Sequence, residues 1–177
     1  MRATIHNSRT GKDGAYNTKH NDRQFDIRNA EHIDPERVRN NRYWNWTGNP
    51  KMSFEDAERA FYEKHIKQHL DAQNARYKAQ RHAERVKTMD EYRRSPQACP
   101  EEVILQIGKF GDTIPADMMA RIIQEQINWE QKTFPGVKVL DVALHMDEQG
   151  APHIHERRAW VYTDKDGNFA ISQNKSL

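Results

Sequence analysis

From His145 to His155 the chain reads His-Met-Asp-Glu-Gln-Gly-Ala-Pro-His-Ile-His, three of its nine histidines in eleven residues. Side chains on a strand alternate between faces, so His153 and His155 point one way and Ile154 the other. Gln149, Gly150, Ala151 and Pro152 supply turn chemistry, which places His145 on a neighbouring antiparallel strand. Cross-strand neighbours on one face have Cβ atoms roughly 5 Å apart. Three imidazoles can therefore converge on one divalent metal at about 2.0–2.2 Å, leaving positions open for substrate. The flanking residues keep the same parity. Leu140, Val142 and Leu144 fall on one face; Val139, Asp141, Ala143 and His145 fall on the other. Ile154, Trp160 and Tyr162 oppose His153, His155 and Arg157. One face is apolar and calls for a helix; the other gathers the histidines.

A chain of 177 residues suits one domain, and 36% hydrophobic against 31% charged residues makes its core lean. The net charge of +2 hides an asymmetry. Residues 1–100 hold 20 Lys/Arg against 14 Asp/Glu, and residues 101–177 hold 8 against 12. A basic half beside a carboxylate-bearing metal half fits a polyanionic substrate better than a membrane. A single cysteine, Cys99, excludes an internal disulfide framework. No apolar run approaches the roughly 20 residues of a membrane span and no signal-peptide pattern opens the chain, so a cytoplasmic location is expected.

Taken in order, residues 2–6 read as a short strand, and a polar loop follows through Tyr16 to His20 and Arg23. His20 and Arg23 are three apart, so one helical turn puts them on one side as a phosphate-directed pair. Asp34-Pro35 resembles a helix start, and beyond it Arg37, Arg39, Asn41, Arg42 and Trp44 offer phosphate and base contacts. Tyr43 and Trp46 add stacking surfaces, at least one of the tryptophans being a core residue instead. Ser53-Phe-Glu-Asp56 resembles a capping box. The stretch to Arg94 has no proline or glycine and reads as two helices or an arm with one face docked. Val103–Gly108 is a buried strand, Pro115 opens an amphipathic helix, Pro135-Gly136 closes it, and Asp164–Asn168 turns into a last short strand.

These segments together resemble the relaxase domain of the plasmid mobilisation and recombination (Mob/Pre) enzymes, which carry a His-hydrophobic-His metal motif. His20-Asn-Asp-Arg23 resembles their N-terminal motif and His32–Asn41 their second motif. His145-x-Asp147-Glu148 with Pro152-His153-x-His155 resembles their metal motif. The present chain has three residues, not two, between Glu148 and Pro152, and Gly150 is expected to give that longer turn its positive φ. The resemblance implies an α+β fold: a mixed, largely antiparallel sheet, helices on one face, a three-His metal site on the other, and a charged helical insertion over 53–94. It implies one relaxase domain over 1–177, an N-terminal fragment of a longer protein that forms a homodimer through a missing C-terminal region.

The implied reaction nicks one DNA strand at a transfer origin through a reversible covalent intermediate. His145, His153 and His155 would hold Mn²⁺ or Mg²⁺, and Glu148, with Asp147 as a second carboxylate, would orient the nucleophile. Arg23 and Arg157 would stabilise phosphate charge. His20 is the expected nucleophile and Tyr16 its competitor; neutral imidazole is available at pH 7, whereas a phenol must first lose a proton. The expected partner is single-stranded or locally melted DNA. Two other classes fit the same residues: a phosphodiesterase that forms no adduct, and a non-catalytic DNA-binding module on the same scaffold.

Overall fold

The two strands that carry the histidines form the middle of the sheet. The computed structural model describes residues 3–8, 17–108 and 114–177, so Tyr16 and most of the loop before His20 lie outside the described residues. β4 (Val137–His145) and β5 (His153–Thr163) pair antiparallel, with His145 opposite His153 and Ala143 opposite His155. β3 (Glu101–Ile107) pairs with the other side of β5, and β1 (Ala3–Ser8) with β3. β2 (Arg42–Asn45) closes the opposite edge against β4, giving the order β1-β3-β5-β4-β2. β6 (Phe169–Ile171) pairs with the far end of β5 after the turn at Asp164–Asn168. Every ladder described is antiparallel, and the fold class is α+β as expected.

Two cores clamp the sheet. On one face α5 (Ala116–Thr133) sets Met119 and Ile123 against Leu105, Val142, Leu144 and Ile154. On the other, α2 (Phe54–His65) and α3 (Lys67–Ala79) set Phe61, Tyr62, Ile66 and Leu70 against Leu140, Ala159 and Val161. Ser53 caps α2 by accepting from the Asp56 amide, and the chain breaks at the fully buried Ile66. The 53–94 stretch therefore lies on the sheet, ending in the short helix α4 (Met89–Arg93) behind a Thr88 capping box. It covers the histidine face at Leu140 and Arg157.

One parity expectation fails. The β4–β5 register shifts between Val139 and Asp141. That bulge moves Leu140 to the histidine face and Val139 to the α5 face. Apolar residues fill both positions, so either phase looks alike in the sequence.

Candidate metal centre

The histidine cluster forms where the β4–β5 turn meets the N-terminal segment. α1 (Thr18–Asn21) is a single turn whose cap, Asn17, accepts from the amides of Lys19 and His20. Backbone bonds sew the next loop to the turn: Asp34 donates to the Asp147 carbonyl (2.7 Å) and Gln149 to the His32 carbonyl (2.8 Å). Ile33 and Glu148 form a bridge between the two. Chain segments more than a hundred residues apart thus arrive together. The rings of His145, His153 and His155 lie 4.8–5.4 Å from one another, and His20 lies 5.6 Å from His145 and 5.9 Å from His155.

Proton positions follow from the partners. A carbonyl or carboxylate only accepts, so the ring nitrogen facing it carries the hydrogen. His145 donates through Nε2 to the Asn21 carbonyl (2.8 Å), His153 through Nδ1 to the Ala151 carbonyl (3.2 Å), and His155 through Nδ1 to Glu102 (2.9 Å). Burial holds all three imidazoles below their ordinary pKa, so they are neutral and each keeps one lone pair. Two of those nitrogens, His145 Nδ1 and His155 Nε2, are buried without a hydrogen-bond partner among the described residues. The third, His153 Nε2, is 3.5 Å from Glu148 Oε2, and His145 Nδ1 is 3.3 Å from Glu148 Oε1. Lone pairs face a carboxylate with no proton between them. Burial alone would raise the Glu148 carboxyl, but the donors that reach it, His20 Nε2 and the Arg23 guanidinium, hold it below the usual range.

Such an acceptor-rich cluster fits a divalent cation. Among the described residues, three groups have ligand atoms within 4.8 Å of one another: His20/His145/His155, His145/Glu148/His153 and His20/His32/Glu148. The expected trio is divided between the first two groups, which share His145. Glu102 holds the outer nitrogen of His155 and is itself fixed by Asn21 Nδ2 (2.8 Å), the carboxylate support that ligating histidines commonly have.

His20 shares this carboxylate environment. Its Nε2 is 3.0 Å from Glu148 Oε1, and its ring stacks with Phe25 and His32 at 5.9 Å each. Arg23 turns inward, contrary to the expected phosphate clamp. Its Nε and one terminal nitrogen grip Asp147 at 3.0 and 2.8 Å, and it also bonds Glu148 (2.8 Å) and the His20 carbonyl (2.7 Å). It does so from a left-handed backbone, φ 56°, rare for a side-chain-bearing residue. Asp147, fully buried, is occupied by that grip; Glu148 is the carboxylate that reaches His20.

Arg157 requires correction as a phosphate contact. It has the histidines' parity but lies under α2, fully buried, bonded to Asp141 and to Glu58 (2.6 Å). Asn41 is partly committed too: its Oδ1 accepts from the Met146 amide (2.7 Å) and its Nδ2 donates to Tyr43 Oη (3.1 Å). Arg37, Arg39, Arg42 and Trp44 are exposed. Trp46 is the core tryptophan, its indole donating to the Ala57 carbonyl at 2.7 Å. The longer turn is made without a positive φ at Gly150; the Gln149 backbone and side chain, bonded to His32 and Glu31, hold it. Sequence reasoning missed Glu102, Asn21 and His32 as parts of the cluster. Glu102 stands where a strand opening Glu-Glu turns apolar at Val103, and Asn21 and His32 fall within the stretches that resemble the family's first two motifs.

Comparison with known proteins places this architecture among relaxase domains by fold. The matching structures are of MobM. Its relaxase domain (MOBV; Mob_Pre) bound to plasmid pMV158 oriT DNA (22 nt), Mn-bound at pH 5.5, superposes with a TM-score of 0.58 at 15% identity, covering 96% of this chain and 74% of that one. A second complex, with a 3′-thiophosphate at pH 6.8, gives 0.56 at 18% identity, covering 99% and 76%. No protein-family model and no curated protein matches the chain. At these identities the shared property is the fold.

Proposed function

We propose that this chain is a metal-dependent relaxase that nicks one DNA strand at a transfer or recombination origin through a covalent bond to His20, and can rejoin it. One observation carries the reading: the His20 imidazole shares the Glu148 carboxylate with neutral histidines whose lone pairs are unsatisfied. The fold is shared with Mn-bound relaxase–DNA complexes, which supports Mn²⁺ and DNA as the ion and partner. His145, His153 and His155 would hold the ion, which when bound would supply Lewis acidity at a phosphate oxygen.

The chain's own residues do the rest. Glu148 takes the hydrogen of His20 Nε2, which leaves the Nδ1 lone pair for attack. An Nδ1–P bond forms as the bond from phosphorus to the leaving sugar oxygen breaks; the Nε2 proton passes to Glu148, and the sugar oxygen takes a proton from water. Reversal rejoins the strand. Arg23 positions Glu148 and His20, and exposed Arg37, Arg39, Arg42 and Trp44 contact the strand. Reaching the cluster requires single-stranded or locally melted DNA.

A second reading has its own observation. His20 also groups with His145 and His155 as a candidate ligand. If His20 ligates, water attacks and the chain is a phosphodiesterase without an adduct. Labelled single-stranded DNA spanning the transfer origin of the element that encodes the chain, incubated with Mn²⁺ and run on a denaturing gel, separates the two. Label travelling with protein supports the relaxase; cleavage with free product alone supports the phosphodiesterase; intact DNA removes both.

A further inference from the structure

The edge of the sheet beside the cluster borders a slot to which the proposed chemistry gives no role. β2 is the last strand on its side, and its side chains alternate across that edge. Tyr43, opposite Ala143, is on the histidine face, its ring 6.5 Å from that of His145 and 40% exposed. Trp44, opposite Val142, is on the other face and 49% exposed. Beside Trp44 a slot of about 310 Å³ opens between β2 and α5. Val139 and Val142 line it from the sheet, Ile123 and Ile127 from the helix, and the exposed amides of Gln124 and Gln131 border it.

We infer that this slot receives one unpaired base of the bound strand, which turns around the β2 edge on leaving the histidine cluster. The inference rests on the DNA reading above. A nucleobase is apolar on its faces and polar on its edge, which matches an indole and aliphatic walls with two amides at the rim. The slot's volume is at the small end of the range for ligand sites. Charge agrees as well. Arg37 and Arg39 are exposed nearby in the chain, and Arg42 pairs with Asp117, itself 82% exposed, so that pair exchanges readily for a phosphate. Trp44 registers three residues from the level of His145, roughly 10 Å along β4 at about 3.4 Å per residue, which suits a nucleotide close to the reacting phosphate.

Other occupants fit less well. Four residues make β2 a short edge for templating an added strand. A second copy of the chain needs about 800 Å² per partner, far more than one tryptophan and a narrow slot supply.

The test compares a thymidine oligonucleotide with a fully abasic strand of the same length, binding being read by fluorescence anisotropy without metal so that no cleavage occurs. Wild type should prefer the thymidine strand. Trp44→Ala should lose about tenfold of that preference yet bind the abasic strand as wild type does, and Trp44→Phe should retain most of it. Joint replacement Gln124→Ala and Gln131→Ala should alter the ranking of the homopolymers and leave abasic binding unchanged. Crosslinking with a 5-iodouracil strand should mark Trp44. Preference unchanged in Trp44→Ala, with crosslinks confined to Tyr43, would overturn the slot while leaving the DNA reading intact. A change of oligomeric state in Trp44→Ala without a change in base preference would assign the slot to a second copy instead. Failure of wild type to bind both strands would defeat the DNA reading itself.

Discussion

β5 presents the same face twice, and its two ends behave oppositely. At Arg157 the side chain is fully buried under α2, with carboxylates of Asp141 and Glu58 around its guanidinium. Burial raises the Asp141 carboxyl to about 6 despite Arg157 beside it. Charges there are matched and sealed. Two and four residues earlier, at His155 and His153, the His20 segment lies over the face in place of α2, the imidazoles are neutral and their lone pairs meet a carboxylate or nothing. A compensated buried charge set is framework, and removing one partner is costly. An acceptor-rich set whose imidazole lone pairs lack donors is a place for a cation. Parity places the two sets on one face; the helix above decides which can meet a ligand.

The largest expected effect breaks the histidine end. His145→Ala, His153→Ala or His155→Ala should abolish nicking and weaken Mn²⁺ binding by calorimetry. DNA affinity should stay close to wild type, because phosphate contacts dominate it. Fold stability without metal should also persist. Unchanged metal affinity in His153→Ala would remove the site. At the closed end the pattern reverses: Arg157→Met should cost about 3–5 kcal/mol in urea unfolding, since it leaves Asp141 buried without its partner and Glu58 with Arg93 alone. A variant that keeps wild-type stability and loses only DNA binding would return Arg157 to the substrate.

A smaller effect sharpens the comparison from the opposite face. Glu156 is fully buried between Val103 and Val142, with the nearest guanidinium nitrogen, of Arg158, 3.9 Å from it among the described residues. Burial, then the neighbouring Glu130 charge, raises its carboxyl to about 8 from 4.5. Below about 4.5 both folded and unfolded chains hold this proton; between 4.5 and about 8 only the folded chain does. Stability from this group is therefore full at low pH and lost as pH rises through 8. Unfolding across pH 5–8 should show a downward contribution that Glu156→Gln removes. Equal slopes for the two proteins would contradict the protonated, buried state.

Much of the site was legible because its signal is local. Alternation from His145 through His155, with a turn between, suffices to bring three imidazoles together. The supporting residues carry no such signal: Glu102 and Asn21 reach His155 and His145 only after β3 and α1 have docked. Arg157 misleads because period-two alternation says which face a residue takes and nothing about what covers it. Arg23 misleads similarly, since a buried carboxylate pair absorbs the donors that spacing alone would offer to phosphate. The bulge at Val139–Asp141 is silent because Val139 and Leu140 are interchangeable as apolar residues.

The central claim is that His20 attacks phosphorus while the histidine cluster stays on the metal. It is tested most directly by the acid stability of the protein–DNA adduct formed with Mn²⁺, measured in wild type and His20→Ala. A phosphoramidate on His20 should be lost on brief acid treatment, survive mild base and be absent from His20→Ala. An acid-stable adduct that persists in His20→Ala and vanishes in Tyr16→Phe would contradict the account and make tyrosine the nucleophile.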